Sequence, residues 1–557
     1  MTGYVYELPT TGAISFAEFC IDTTGGNVYT SHIAEATQAR ANMRGVLKEC
    51  KRMDSGERDY LRIIKVLDDY LPHVYGIIAC VASGEIRLKY DPEFSWRTTL
   101  SSTLFHTSPR LRLPSLHADL ASTLLTYSMA LSNFSHSVVS SLGAYEYERA
   151  ISEKERKDKD ERLNFGVLLL CRASGIHTAI GEGVLGELER ASNACGSAEG
   201  SRGGRGGWVR PPDLEKEVNA ALTKMALADA QTLAIRKLLS KAAFDSTLSP
   251  GPPLPKSHPS TALIAKLHLG CAALYSSARA LAMTPSKASS ASGPGSGLKA
   301  NFGSGSKSSG NGSGTGATAE VSADLLKYLE KETKFHTALA HKWLGVDAGE
   351  SAKAGKGGEA VGFLKWAQQE LEDLSGPGFS KGLSIGRGKG NDKDGDGDGK
   401  GKGGRSRKVR IEDELKSVKV FLGHYRKMND SLTFDPVPKQ SVLQALIPEG
   451  IMAVSAKAYA PPEPAFGPGS RRYEARTRRS SRDQEEDGSG SCNFGGEQTF
   501  GMEKLQVDVD AGGHADRRKK KYAAVPVFED SSDDDDDDGI GRTATAARTY
   551  VGEGSYF

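Results

Sequence analysis

Apolar residues recur three and four positions apart through most of this chain, the spacing of one face of a helix. One such stretch, Leu222 to Leu239, carries Leu222, Met225, Ala226, Ala230 and Leu233 on one stripe and Leu227, Ala234 and Leu238 on a second. Two stripes predict a helix covered on two sides, and Ala226, Ala228, Ala230 and Ala234 let neighbouring backbones come close, as stacked antiparallel helices require. The same period predicts helices over 31–52, 60–81 (Leu61, Ile64, Leu67, Leu71, Val74), 116–142, 163–188, 261–283, 321–344 (Val321, Leu325, Tyr328, Phe335, Leu339) and 359–374. A final stripe, Ile411, Leu415, Val418, Leu422 and Tyr425, stops at Asn429–Asp430, and DPVP at 435–438 bars further helix. Only 85–90 and 111–114 read as strands, with Trp96 between them expected to pack on the first helices. The pattern predicts an all-α domain.

Composition changes that picture by interrupting it. Gly- and Ser-rich stretches at about 192–212, 284–320 and 376–408 cannot bury enough apolar surface to order themselves and are expected as disordered insertions between helices. Beyond Ser470 the chain turns to Arg, Ser, Gly and Asp, which predicts a domain over 1–470 and a disordered charged tail over 471–557. Charge is close to balanced, 72 basic against 70 acidic residues, so no whole-molecule field favours nucleic acid or membrane. The seven cysteines are scattered without a CxxC pair, which suits a reducing compartment and suggests neither a zinc site nor a disulfide framework. The start, MTGYVYELPTTGA, lacks the apolar run of a signal peptide, and the apolar runs Gly76–Ala82 and Phe165–Cys171 are too short to cross a bilayer, so an intracellular soluble protein is expected.

Candidate chemistry is sparse. Asp392, Asp394, Asp396 and Gly397 open like a calcium loop, but the twelfth position is Gly403 in place of a bidentate Glu. Gly181, Gly183 and Gly186 spell G-x-G-x-x-G after a helix-like run, where a dinucleotide site needs a strand. His336 and His341 lie five apart, on different helical faces, and no serine or cysteine sits in a nucleophile elbow. No enzyme, cofactor or metal is expected. Arg202 and Arg205 form a short RGG-like fragment, which with the basic tail segment leaves a nucleic-acid-associated protein as the less favoured alternative function, although no nucleic acid is expected as partner. Arg517–Lys521 is followed by Ser531, Ser532 and the acid run Asp533–Asp538, which offset one another in charge and make the two serines a candidate phosphorylation switch.

Six segments in fixed order carry a family resemblance: RASGIH (172–177), LADAQTLAIRKLL (227–239), STALIAKLHLGCAALY (260–275), ETKFHTALA (332–340), GEAVGFLKWAQQEL (358–371) and NDSLTFDPVP (429–438). Together they resemble the Bro-one domain of ESCRT-associated adaptors. LPTTGAISFAEF (8–19) and WRTTLSS (96–102), with no V-shaped domain following, resemble the fungal ambient-pH-response members. The resemblance implies a curved, tetratricopeptide-like solenoid and a non-enzymatic adaptor in alkaline-pH signalling. Such an adaptor supports proteolytic activation of a PacC-type transcription factor, the alternative being a general accessory in endosomal sorting. It further implies a CHMP/Snf-type ESCRT-III subunit as partner, other pH-signalling proteins beside it, and recruitment to plasma-membrane or endosomal ESCRT-III sites with indirect membrane contact. The partner's amphipathic helix would meet an apolar patch. The positions matching that patch are Ala234, with Ile235 beside it, and Leu263 and Leu267, which are four apart on one face.

Overall fold

The computed structural model describes residues 3–54, 56–101, 110–196, 210–247, 251–284, 321–351, 355–375 and 402–478. All of these lie in one compact unit, Met1–Gly488. Most of the three expected insertions, the RGG fragment, the calcium-like loop, the basic run 517–521 and Ser531–Ser532 lie outside the described residues.

The helices form where the apolar stripes predict them. α1 (Phe16–Phe19) is a single turn, followed by β1 (Cys20–Asp22), α2 (Thr30–Arg52), α3 (Tyr60–Ala82), β2 (Ile86–Leu88), β3 (Glu93–Arg97) and β4 (Arg110–Pro114). The helical array continues with α4 (Leu116–Leu142), α5 (Glu153–Ala179), a π-helical turn at Ile180–Val184, α6 (Leu185–Gly196), α7 (Lys216–Ser246) and α8 (Thr261–Ala282). It closes with α9 (Ala323–Glu350), α10 (Lys356–Ser375), α11 (Lys402–Met428) and the short α12 (Gln440–Gln444). Local signals set the starts: Asp59 caps α3 by accepting from Arg62 N–H, and Ser152 caps α5 by accepting from Glu155 N–H. Gly181 and Gly183 therefore sit in a helical run, not in a strand-to-helix loop.

Consecutive long helices pack as antiparallel neighbours from α2 to α5, then α7 through α11. Cross-contacts fix the direction. Ser174 Oγ reaches the Thr223 carbonyl while Gly166 lies against Leu233, so α5 and α7 run oppositely. Asp229 meets Tyr275 and Gln231 meets Leu267, so α8 reverses α7. This is a helical solenoid, with one core running its length.

Three departures from the sequence reading have physical causes. The strands 86–88 and 110–114 are present, but each pairs with a partner that the apolar period does not show: β2 with β1, and β4 with β3, where Trp96 stands opposite Leu111. The helix α11 begins at Lys402, inside the expected linker; Arg407 and Arg410 anchor that start to the buried Glu332 at 3.3 and 2.6 Å. Residues 471–478 are helical, eight residues past the expected boundary, tied down where Tyr473 donates to Glu85 at 3.0 Å. One stretch, Glu153–Arg190, is long and apolar enough to cross a membrane by length and composition, although no single apolar run in it is long; 67 % of its most apolar 18 residues is buried within the unit, and the stretch packs against α4 and α7.

The segment after α12 is the least expected part of the fold. It runs extended, opposite to the order of the helices, and crosses them in turn. Ile451 N–H bonds the Lys266 carbonyl on α8 at 3.0 Å; Lys457 N–H bonds the Cys171 carbonyl on α5 at 3.0 Å; Ala465 N–H bonds the Pro72 carbonyl on α3 at 3.0 Å. Phe466 then stacks on His32 of α2 at 4.8 Å between ring centroids. This strap lies so close that a Cβ at Gly270 or Gly175 would overlap the carbonyl oxygens of Ile451 or Lys457. Alanine is normally about 1 kcal/mol better than glycine inside a helix. Here Gly175→Ala and Gly270→Ala are expected to lower stability by about 1–3 kcal/mol, read from urea unfolding midpoints, because backbone must move to admit the methyl.

Candidate functional site

The four patch positions fall on α7 and α8 and divide by exposure. Leu263 is 36 % exposed, Ala234 is half-buried, and Ile235 and Leu267 are 3 % and 2 % exposed. Leu263, Lys266, Leu267 and Gly270 share one face of α8 by helical spacing. The strap takes up the further part of that face: Ile451 bonds Lys266, and Gly450 and Ile451 lie against Gly270. Leu267 sits within the crossing and Leu263 one turn outside it.

Gln231 holds the strap at α7. Its Nε2 donates to the Ile451 and Leu267 carbonyls, both at 3.0 Å, and its Oε1 accepts Ala453 N–H at 2.8 Å. One side chain thus joins α7, α8 and strap, with both ends of the amide satisfied. Val454 and Ala234 both pack against the small cluster that holds Val167, Leu170, Cys171 and Leu233.

Exposed apolar residues line one edge of the strap. Leu168 lies one turn before Cys171 on α5 and is 50 % exposed; Leu238 lies one turn beyond Ala234 on α7 and is 42 % exposed. Leu263 lies one turn before Lys266 on α8. Because α5, α7 and α8 alternate in direction, these three leucines fall on the same side of the crossing. With Ala234 and the exposed Met452 of the strap they make an apolar strip across three helices. The family resemblance points to Ala234 and Leu263; Leu168 and Leu238 needed the strap to show which side of each helix stays open.

Beneath the strip lies a buried polar network rather than a reaction centre. Tyr275 and Tyr328 hydroxyls donate to Asp229 Oδ1 at 2.5 and 2.7 Å, and burial pushes the Asp229 carboxyl up to about 7. His268 and His336 face each other with Nδ1 atoms 2.9 Å apart, and His336 Nε2 meets Thr232 Oγ1 at 3.1 Å. Burial, and then Arg410, hold His336 down to about 3, while burial and His336 hold His268 well below its usual range. Both rings are neutral at pH 7. Burial also pushes the Cys20, Cys80 and Cys271 thiols up to about 12, so they are thiols rather than nucleophilic thiolates. Among the described residues no group of three or more His, Cys, Asp or Glu side chains could hold a metal ion.

Comparison with known proteins agrees with this architecture. The BRO1-like domain family model matches residues 20–467. The chain is 36 % identical over 478 residues to the pH-response regulator protein palC of Cryptococcus neoformans, covering 84 % of this chain and 93 % of that one. It is 25 % identical over 257 residues to palC of Emericella nidulans, covering 42 % and 46 %. Among solved structures, ALIX in complex with the SIVmac239 PYKEVTEDL late domain superposes with a TM-score of 0.53 at 16 % identity, over 87 % of this chain and 54 % of that ALIX chain. The chain thus spans about half the length of that ALIX chain, and the likeness concerns the fold.

Proposed function

Because this chain belongs to the BRO1-like domain family and is a homologue of the palC pH-response regulators, we propose that it is a non-enzymatic adaptor of ambient-pH signalling. In this reading the strip Leu168–Leu238–Leu263 receives an amphipathic helix of a CHMP/Snf-type ESCRT-III subunit. The carrying observation is the strip itself: three leucines, each more than a third exposed, aligned across three rigid helices beside a fixed strap. Leucines on one helical face meet such a groove at i, i+3, i+4 and i+7, and the groove's own rigidity keeps the entropy cost of docking low. The adaptor would work from the cytoplasm, assembled at ESCRT-III sites where a PacC-type transcription factor is processed. An endosomal-sorting accessory could use the same strip; the pH-response reading is preferred because the Cryptococcus palC match extends over 93 % of that regulator.

The test is calorimetric titration of the full chain with the C-terminal helix of an ESCRT-III subunit. Leu238→Asp and Leu263→Asp should each weaken binding by about 1–3 kcal/mol while leaving the fold intact. Leu267→Ala separates a core role from a binding role: a side chain buried in the core should cost about 2–4 kcal/mol of stability. Unchanged affinity in folded Leu238→Asp and Leu263→Asp variants would move the partner elsewhere on the surface.

A further inference from the structure

A second apolar surface lies at the other end of the array, in the turn after α11. Leu432 and Phe434 are 70 % and 73 % exposed, more than any other large apolar side chain among the described residues. The turn that holds them is rigid. Residues Asn429–Thr433 form a π-helical turn, and Phe434 follows in the left-handed region at φ 51°, a conformation that a bulky residue adopts only when its surroundings impose it. Asn429 is buried and imposes it: its Nδ2 donates to the Asp435 carbonyl at 3.0 Å, and its Oδ1 accepts Thr433 Oγ1 at 2.8 Å and Asp435 N–H at 3.2 Å. Asp435 in turn accepts Gly357 N–H at 3.1 Å, and the Pro436 carbonyl lies against Gly358, where a Cβ would overlap it. The inner side of the turn is thereby fixed to the start of α10. Thr433 turns its hydroxyl inward, and its two neighbours are left in solvent.

The chemistry around the turn says what it meets. Arg426, Lys427 and Lys439 flank it, all exposed and none in an ion pair among the described residues. They stand against one exposed acid in the turn, Asp430, since Asp435 is committed to Gly357. Met428, Val437 and Val442 extend the apolar surface at 39 %, 44 % and 53 % exposure. A protein groove needs shape complementarity around each anchor; a bilayer interface accepts a lone Leu and Phe and draws the cations to its anionic headgroups. We propose that this turn is a membrane-contact element that sets Leu432 and Phe434 into an anionic lipid surface, with Arg426, Lys427 and Lys439 against the headgroups. The sequence points only to indirect membrane contact because no helix there is amphipathic enough to lie on a bilayer. A rigid turn carries two apolar tips without any periodic signature.

The test is co-sedimentation of the full chain with phosphatidylcholine vesicles, with and without phosphatidylserine. Binding to the anionic vesicles is expected, reduced about tenfold or more by Leu432→Glu with Phe434→Glu and several-fold by Arg426→Gln with Lys427→Gln. Phe434→Trp keeps an aromatic at the turn, and its emission should shift to the blue on anionic vesicles; no shift would overturn the proposal. So would no vesicle binding by the wild type. Equal binding by a folded double-Glu variant would also overturn it, and would place lipid contact on another cationic segment such as 517–521. A wild-type dimer in sedimentation velocity without lipid, made monomeric by the double-Glu change while vesicle binding stays unaltered, would overturn it in favour of a second copy of the chain.

Discussion

Asp119→Ala should cost about 3–5 kcal/mol of stability, read from the urea midpoint at constant m. Asp119 is fully buried on α4 and accepts four hydrogen bonds: from Arg40 Nη2 at 2.8 Å and Nε at 3.2 Å, from Tyr70 OH at 2.6 Å and from Trp96 Nε1 at 2.7 Å. It therefore joins α2, α3, α4 and β3 through one carboxylate. Arg40 also reaches the Gly12 carbonyl and Thr11 Oγ1, fastening the N-terminal segment to the same point. Alanine leaves the Arg40 guanidinium, 2 % exposed, with no counter-charge. Since whole domains are stable by only about 5–15 kcal/mol, this single change should leave the first helices marginal. Asp119→Leu combined with Arg40→Met removes both charges and should recover part of the loss. A loss below about 1 kcal/mol in Asp119→Ala would show that the network holds little of the fold.

Acid should destabilise the domain well before surface carboxylates titrate. His177 and His336 are buried and held down to about 4 and about 3, chiefly by burial, and His268 lies well below the ordinary value for the same first reason. An unfolded histidine takes its proton near 6.5. Between 6.5 and the folded values the unfolded state binds more protons, so stability is full above about pH 6.5 and falls as pH drops through this window. At pH 5 His177, His336 and His136, which burial likewise holds down to about 4, each contribute a loss of about 2 kcal/mol, roughly 6 in all, and His268 acts in the same direction. Asp229 works the other way. Its folded value of about 7 means the native state holds a proton that the unfolded state has released, so stability rises by roughly 2–3 kcal/mol as pH falls from 7.5 to 5. Asp213 and Glu215, also raised by burial, act in the same sense as Asp229. The net expectation is a loss of about 2–4 kcal/mol between pH 7.5 and 5, measured by urea unfolding at a series of pH values. Asp229→Asn removes the opposing contribution and should steepen the decline; a flatter profile in that variant would refute the assignment.

How much of this was legible in the sequence depends on the range of the interaction. Stripes such as Leu222–Leu233 or Ile411–Tyr425 place every long helix, because amphipathic period is written locally. The family segments name the architecture and bring Ala234, Ile235, Leu263 and Leu267 to the right pair of helices. They do not tell Leu263 from Leu267, since both share a face and only the packing of the whole array buries one and leaves the other open. Ile235, one residue and about 100° round the helix from Ala234, turns into the core. Asp119 looks like a polar interruption in an apolar helix until Arg40, Tyr70 and Trp96 converge on it. Lys402–Lys408 reads as linker from composition, and the tie from Arg407 to the distant Glu332 is not visible there. The strap did leave one trace: Gly76, Gly175 and Gly270 each sit in the interior of a helix, where glycine is otherwise a poor choice, and each marks a crossing.

The strap also sets the order in which this protein can be made. A stack of helices held only by adjacent pairs could complete itself turn by turn as it leaves the ribosome. Here Pro72 waits for Ala465 and His32 for Phe466, so the first helices synthesised lack their cover until about four hundred more residues have been added. At about 5–20 residues per second, that is an interval of about 20–80 seconds. During it the glycine-lined tracks on α3, α5 and α8 stand bare and open to other extended chains. The nascent solenoid is thus a natural client for chaperones, and it becomes a cooperative unit only when its last segment arrives to close it.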